Sequence, residues 1–454
     1  MNLPNYFLAD LPPEATLSPA MITEACQTLK RNRAQYLAQR PTHSLVHLLC
    51  EVAGAWLKPD HTFRRLALEL GPEKTGFSRA TLQKGLNQFF AQFTPGNFQS
   101  LLVQELGDAQ RLDRFVANPS GETSNRLAMA VGPEFLVHVA TGNIPNPTLM
   151  SLTLGLLTRA AQFVKCASGS AFLPRLFAHS IYEADAKLGA CLEIAEWRGG
   201  NVGLEVALFA EADCVTATGS DETLAAIRTR LPARTRFLGY GHRVSFGFVA
   251  GEVLSGFYAG QIVSHAADDV VAWNQLGCLS PHVIYVQTGG EVSPEKFAER
   301  LADELERRES TEPRGTLPAE HAAAIASRRG IYEVRAAHSP ETTQHWCSKD
   351  STAWTVVYEA DARFQLSCLN RFIYVKPVRD LTEALHQAEL VRGQVSTVGL
   401  AAPEHRREEL VRQLAQWGVK RVCPLGRMQN PPLTWRHDGR PALGDLVTWT
   451  DWET

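Results

Sequence analysis

Long apolar runs are missing from this 454-residue chain. The most apolar stretch, Leu149 to Leu157, ends at Thr158-Arg159, well short of the roughly 20 residues a membrane-spanning helix needs; a soluble protein is expected. Met1 to Pro13 has no basic residue ahead of an apolar stretch, and Asp10 interrupts it, which argues against a signal peptide and for a cytoplasmic location. The nine cysteines show no CxxC spacing, so neither a zinc cluster nor a disulfide framework is indicated. An excess of one charge is also absent. Forty-five basic residues against forty-eight acidic ones leave a formal charge of -3, so no global field marks a nucleic-acid binder. Internal repeats and low-complexity tracts are missing. His265-Ala266-Ala267-Asp268-Asp269 lacks partners at metal-ligand spacing, His437-Asp438-Gly439 reads as a turn, and no metal is expected.

What is present is an ordinary globular composition, 44% apolar and 20% charged, in a chain long enough for two or three domains at roughly 100 to 200 residues each. Pro19 to Leu37, Ser44 to Leu57, Arg79 to Gln92 and Phe98 to Asp108 show apolar spacing of three and four and predict helices. They read as a helical appendage or lid over residues 1–110. From Glu134 short apolar strands alternate with helices, the pattern of a doubly wound parallel sheet in an α/β protein. Residues 111–244 read as a Rossmann-like dinucleotide domain and 245–425 as a second α/β domain. Residues 426–454 read as a Pro-, Trp- and Gly-rich tail that completes an oligomer interface.

Cys278 lies after a predicted helix and before a predicted strand, between Gly277 and Leu279-Ser280-Pro281. A thiol at such a glycine corner is well placed to attack a carbonyl carbon. A cysteine in apolar sequence is ordinarily a buried structural thiol, and the other eight are read that way. Cys278 stands apart through its company: Gly142-Asn143-Ile144-Pro145 at one strand end, Phe163-Val164-Lys165-Cys166-Ala167-Ser168 at the next, Thr218-Gly219-Ser220 at a third.

In this order, these segments resemble the aldehyde dehydrogenase superfamily, over roughly Glu134 to the C-terminus. Gly426-Arg427-Met428, Trp435-Arg436-His437-Asp438-Gly439 and Leu443-Gly444-Asp445-Leu446 are similar to its LuxC-type acyl-CoA reductase branch, the long-chain fatty-acyl reductases. The resemblance implies that Cys278 carries an acyl group, with the Asn143 amide and the Cys278 backbone N–H as oxyanion donors. It implies that Lys165 binds the adenosine ribose or a 2′-phosphate, that Gly219 and Ser220 meet the pyrophosphate, and that Asn370 stands near the site of a ribose-binding glutamate. NAD-preferring members carry a glutamate three positions after the lysine; here the position is Ser168, which implies NADPH. Oxidative members carry a water-activating glutamate where this chain reads Phe237-Leu238-Gly239-Tyr240-Gly241-His242-Arg243, without a carboxylate. That absence favours reduction over hydrolysis. The donor implied is acyl-CoA or an acylated partner protein, an acyl-protein synthetase is the partner the resemblance allows, and a homo-oligomer is expected. Three rivals remain open: an oxidative aldehyde dehydrogenase with another base, a non-redox cysteine acyltransferase using His282 or His242, and a non-catalytic scaffold.

Overall fold

The computed structural model describes residues 3–12, 14–117 and 126–453. Its contacts separate two compact units, one of Met1–Thr75, Leu86–Gly241 and Pro432–Thr454, the other of Gly76–Gly85 and His242–Pro431.

In the first unit, Val116–Ala117 (β1) and Arg126–Val131 (β2) pair antiparallel, and β2 pairs again with the C-terminal strand Thr448–Glu453. The five strands Phe135–Val139 (β3), Ala161–Cys166 (β4), Leu192–Glu196 (β5), Cys214–Thr218 (β6) and Arg236–Tyr240 (β7) form a parallel sheet in the order β5-β4-β3-β6-β7. The chain therefore leaves β3 in one direction and returns to its other side at β6, and in such a sheet loops diverge above the carboxyl ends at that switch point. Helix Pro19–Asn32 is a layer of this sheet rather than a lid: its Ile22, Cys26 and Leu29 are buried in one cluster with Phe135, Phe163 and Val215. Helix Thr42–Leu57 is tied to helix Phe172–Ala184 by Trp56 Nε1, which donates to Ser180 Oγ at 2.9 Å. The helix Thr62–Thr75 has no counterpart in the sequence reading, because Pro72 in its last turn resembles a terminator.

The second unit carries Val244–Val249 (β8), Pro281–Gln287 (β9), Thr343–Cys347 (β10), Thr355–Glu359 (β11), Phe372–Val378 (β12), Val395–Ala401 (β13) and Arg421–Pro424 (β14), ordered β10-β11-β12-β9-β8-β13-β14. Only β10 runs antiparallel to its neighbour. Both faces are covered, as parallel strands require. Along β12, Ile373 and Val375 pack under helices Gly256–Val271 and Pro294–Glu309, while Phe372 and Tyr374 face helices Ala319–His338 and Glu404–Trp417. Burial on both faces explains why β8, apolar or small throughout, gives no alternating signal in the sequence.

A polar chain crosses the core of the first unit. His138 is 2% exposed; its Nδ1 lies 2.6 Å from Thr216 Oγ1, its Nε2 lies 3.0 Å from Gln162 Oε1, and Gln162 Nε2 donates to Leu152 O at 3.1 Å. With the amide oxygen accepting, Nε2 carries the proton and the neutral ring satisfies both neighbours. Burial holds His138 down at a pKa of about 4, with the Gln162 bond opposing. Gly155 leaves room for that amide, since a Cβ there would come 2.1 Å from Gln162 Oε1.

Two outcomes follow from this chain. Gly155→Ala, which on an exposed helix stabilises by up to ~1 kcal/mol, is expected here to destabilise by roughly 1–3 kcal/mol through overpacking, read by urea unfolding. Because the unfolded His138 binds a proton below pH 6.5 and the folded one only near 4, the unfolded state holds more protons between those values. Wild type should lose stability relative to His138→Gln as pH falls through that window, at up to ~1.4 kcal/mol per unit. Parallel unfolding curves at pH 7 and pH 5 check this, and an unchanged difference would contradict it.

Candidate active site

The carboxyl ends of β3 and β6 flank a small crevice lined among others by His138, Thr141, Pro147, Thr216 and Thr218. It stands at the switch point, where this sheet type collects ligands. Exposed Asn143 lies in the bend that follows β3, just before helix Asn146–Leu157. At the end of β4, Lys165 is buried rather than splayed into solvent, 5% exposed, with Nζ 5.8 Å from the Trp197 ring centroid. Burial lowers its pKa, and the Glu205 and Glu196 carboxylates oppose that. Ser168 is exposed in the turn between β4 and the next helix. Ser220 caps helix Asp221–Arg228, its Oγ accepting the Thr223 N–H at 3.3 Å, and Gly219 precedes it.

One residue at this edge was not legible in the sequence. Glu196, across the ladder from Cys166, turns its carboxylate onto the Ser168 turn and accepts the N–H groups of Gly169 at 2.6 Å and Ala171 at 3.0 Å. A negative charge thus stands beside Ser168, supplied by the neighbouring strand. Only the pairing of β4 with β5 brings it there, and β5 itself, Leu192–Glu196, has no counterpart among the strands predicted from the sequence.

The end of β7, whose own segment Phe237 to Arg243 has no carboxylate, is covered by the C-terminal tail, which brings Asp438 and Asp445 near Tyr240. Tyr240 stacks on His437 at 4.4 Å and 10°, the Arg440 guanidinium lies 4.5 Å from the Tyr240 centroid, and Trp435 packs on His437 at 4.7 Å.

In the second unit the chemistry-bearing residues gather at the opposite kind of edge, the amino ends of the parallel strands. Cys278 precedes β9, Asn370 precedes β12, and Arg421 opens β14. Cys278 is half-buried in a turn closed by the Ser280 N–H donating to Gly277 O at 2.9 Å. Helix Gly256–Val271 reaches this turn through Trp273, Asn274 and Gln275, consecutive residues at φ 49°, 51° and 64°. Such left-handed conformations cost side-chain-bearing residues of order 1–3 kcal/mol each and persist only where surroundings enforce them. Here Asn274 Nδ2 donates to Arg314 O at 2.8 Å, while Gln275 Nε2 donates to Pro281 O at 2.7 Å and Phe372 O at 2.9 Å. The Trp273 ring fills the space over Gly85, where a Cβ would come within 2.1 Å of it. Ser245 Oγ donates to the Cys278 carbonyl at 2.8 Å.

Exposure alone does not single out Cys278. Cys26, Cys166, Cys191 and Cys214 are buried, but Cys50, Cys347, Cys368 and Cys423 are partly exposed, which corrects the reading of all eight as buried thiols. Asn370, 3% exposed, sits at φ 57° with its Oδ1 unpaired among the described residues. His282 accepts the Ser367 N–H on Nδ1 at 3.1 Å, and burial, reinforced by His242, holds its pKa at about 4. No group of three or more His, Cys, Asp or Glu among the described residues is arranged to hold a metal, and no helix among them is long and apolar enough to cross a membrane.

The profile of the acyl-CoA reductase (LuxC) family matches residues 37–449. The long-chain acyl-protein thioester reductase of Photorhabdus luminescens is 23% identical over 426 residues, covering 90% of this chain and 82% of that protein. Among solved structures, an NAD-dependent benzaldehyde dehydrogenase from Corynebacterium glutamicum aligns at TM-score 0.69 and 14% identity, over 97% of this chain and 91% of the other. A bifunctional proline utilization A protein aligns at TM-score 0.71 and 15% identity over 99% of this chain, which spans 46% of that longer protein. These structural likenesses concern the fold. With the family profile spanning nearly the whole sequence, the chain belongs to the acyl-CoA reductase (LuxC) family and has the fold of the aldehyde dehydrogenases.

Proposed function

We propose that this protein reduces a long-chain acyl thioester to the aldehyde, with Cys278 as acyl carrier and NADPH as reductant. The observation that carries the reading is the Cys278 turn itself, half-buried at the amino edge of the second sheet and reached through three left-handed residues braced by buried side chains. Strain maintained in this way is characteristic of functional corners. The donor is acyl-CoA or an acylated protein; the Photorhabdus relative is named for acyl-protein thioesters. An acyl-protein synthetase is the partner that loads the second kind of donor.

The Cys278 sulfur bonds to the carbonyl carbon as that carbon's bond to the donor sulfur breaks, and the donor leaves as a thiol with the cysteine's proton. The Asn143 amide and the Cys278 N–H are assigned to the carbonyl oxygen, where losing one such donor costs ~100-fold or more. A bound reduced nicotinamide supplies hydride to the resulting thioester. Cys278 then departs as the aldehyde forms and regains a proton from solvent.

The residues present fit a dinucleotide. Support comes, within the first unit, from Lys165 held at the end of β4 and, within the second, from the unpaired Asn370 Oδ1, a buried acceptor suited to a ribose hydroxyl. Gly219 and Ser220 are assigned to the pyrophosphate, although the Ser220 hydroxyl already serves as a helix cap. We assign the Lys165, Gly219 and Ser220 contacts with the nucleotide to the first unit and the acyl-carrying thiol to the second. The exposed Trp449 and Trp452 of the C-terminal strand are assigned to association with a second copy, in a cytoplasmic enzyme.

The rival chemistries are less well supported. The segment at the end of β7 presents Tyr240 under Arg440 and His437 in place of the glutamate that an oxidative enzyme carries there, and the nearby Asp445 is taken up by Arg440. His282, with Nδ1 occupied by the Ser367 N–H and its basicity lowered by burial, is a poor general base for non-redox acyl transfer.

Replacing Cys278 by Ala should abolish both the acyl adduct, seen by intact mass after mixing with acyl-CoA, and aldehyde formation; reduction at near wild-type rate would overturn the mechanism. Cofactor choice is tested separately by NADP and NAD binding together with steady-state rates. Ser168→Glu should shift preference toward NADH by about tenfold or more, equivalent to ~1.4 kcal/mol of added charge repulsion. Glu196→Gln should shift it the other way, because the carboxylate beside that turn opposes a 2′-phosphate. Equal changes for both nucleotides would leave these residues without a role in selection.

A further inference from the structure

Behind the Cys278 turn stands a buried assembly that the acyl chemistry does not itself use. Asp269, 1% exposed and near the end of helix Gly256–Val271, accepts the backbone N–H groups of Gly426 at 2.5 Å and Met428 at 2.8 Å. From the start of β14, Arg421 takes hold of the same segment, donating to the carbonyls of Arg427 at 2.9 Å and Met428 at 2.7 Å. Gly426, at φ 88°, lies so close to the helix that a Cβ would come 2.9 Å from the His265 Cβ. The loop is thus fixed by its backbone, and that fixes where the next residue points.

Gln429 is 7% exposed, and its Nε2 donates to Ser280 Oγ at 2.5 Å. The same amide fills the space beside Gly277, where a Cβ would come 2.3 Å from Nε2. Gly277 and Ser280 are the two ends of the turn that carries Cys278. From the sheet, Ser245 holds the Cys278 carbonyl and also accepts the Thr397 N–H at 3.2 Å; the same ladder pairs Thr397 with both Ser245 and Arg421. Ser245 and Gln429 therefore grip one turn through independent bonds.

We propose that Gln429 is a positioning residue for the Cys278 thiol, and that Asp269 and Arg421 hold the Gly426–Gln429 loop in the place from which it acts. This rests on the reading of Cys278 as the acyl carrier. A nucleophile displaced by about 1 Å loses on the order of 100-fold in rate. Gly277 must be small to admit the Gln429 amide, so that amide sits directly against the backbone that precedes the thiol.

The test uses the full-length protein as Gln429→Leu, as Ser280→Ala and as the double variant, each mixed with palmitoyl-CoA without reductant. Acyl-cysteine formation is followed by intact mass, NADP binding by fluorescence titration and folding by thermal melting. Each single variant should acylate at least about tenfold more slowly, with the double no slower than the slower single, since both changes break one bond. NADP binding and melting should remain near wild type. Gly277→Ala should reproduce the slow acylation by expelling the amide. Wild-type acylation rates in Gln429→Leu, multiplied losses in the double variant, or slowing accompanied by weakened NADP binding and a lowered melting temperature would each overturn the proposal. If wild type itself acquires no acyl group at Cys278, the acyl-carrier reading fails and this proposal with it; normal acylation in both wild type and Gln429→Leu removes the positioning role alone.

Discussion

Hydrogen bonding between parallel strands governs where chemistry can occur in this molecule. A parallel neighbour is reached only by a crossover that returns the chain to the same edge, so all connections entering the strands meet at one edge and all connections leaving them at the other. The first sheet offers its carboxyl edge, where β4 ends with Lys165 and the turns after β3, β4 and β6 carry Asn143, Ser168, Gly219 and Ser220. The second offers its amino edge, with Cys278, Asn370 and Arg421 ahead of or at the start of β9, β12 and β14. Within each sheet, segments far apart in sequence become neighbours because ladder register leaves them nowhere else to be.

At the second edge the backbone is held in conformations that side chains disfavour. Trp273, Asn274 and Gln275 ahead of Cys278, and Leu369, Asn370 and Arg371 ahead of β12, form two consecutive left-handed runs. They are linked, since Arg371 Nε donates to Asn274 Oδ1 at 3.2 Å and Gln275 reaches the Phe372 carbonyl. Arg371, 1% exposed, is paired with Glu309 at 3.0 Å and the Glu312 carbonyl at 2.7 Å, and burial lowers its pKa to about 10. This buried cation, with Nε and Nη1 paired and Nη2 without a partner among the described residues, anchors both corners, because losing its partners would leave an uncompensated charge in the core.

The reductase-like motifs of the tail acquire distinct physical meanings. Gly426-Arg427-Met428 is a backbone platform: its N–H groups meet Asp269 and its carbonyls meet Arg421, so the glycine is needed for a close approach and a positive φ. His437 belongs instead to an aromatic and cationic cover on Tyr240, at the end of β7. Asp269 shows how opposing effects balance at such a platform, for burial pushes its pKa up to about 7 while two N–H bonds and the Arg421 charge favour the carboxylate.

The α/β class, the strands Cys214–Thr218 and Arg421–Pro424, and the corner at Cys278 were all legible in the sequence, because periodicity, glycine and proline act over a few residues. Local signals also brought Asn143, Lys165 and Gly219-Ser220 into view as strand-end residues. They did not disclose β5, whose Leu192–Glu196 lacks a turn signal at its start, nor β10, an antiparallel edge of mixed polarity. The His265–Asp269 segment read as bland, although its last carboxylate organises a loop 157 residues away. Glu196 beside Ser168 and Gln429 against Gly277 were equally invisible, since each depends on a contact between distant segments. What the sequence determined by itself was the set of local conformations the chain can adopt. Which carboxylate faces which turn, and which amide presses on the cysteine corner, was decided only by tertiary structure, because strand register and close packing choose those neighbours and leave no periodic trace in the chain.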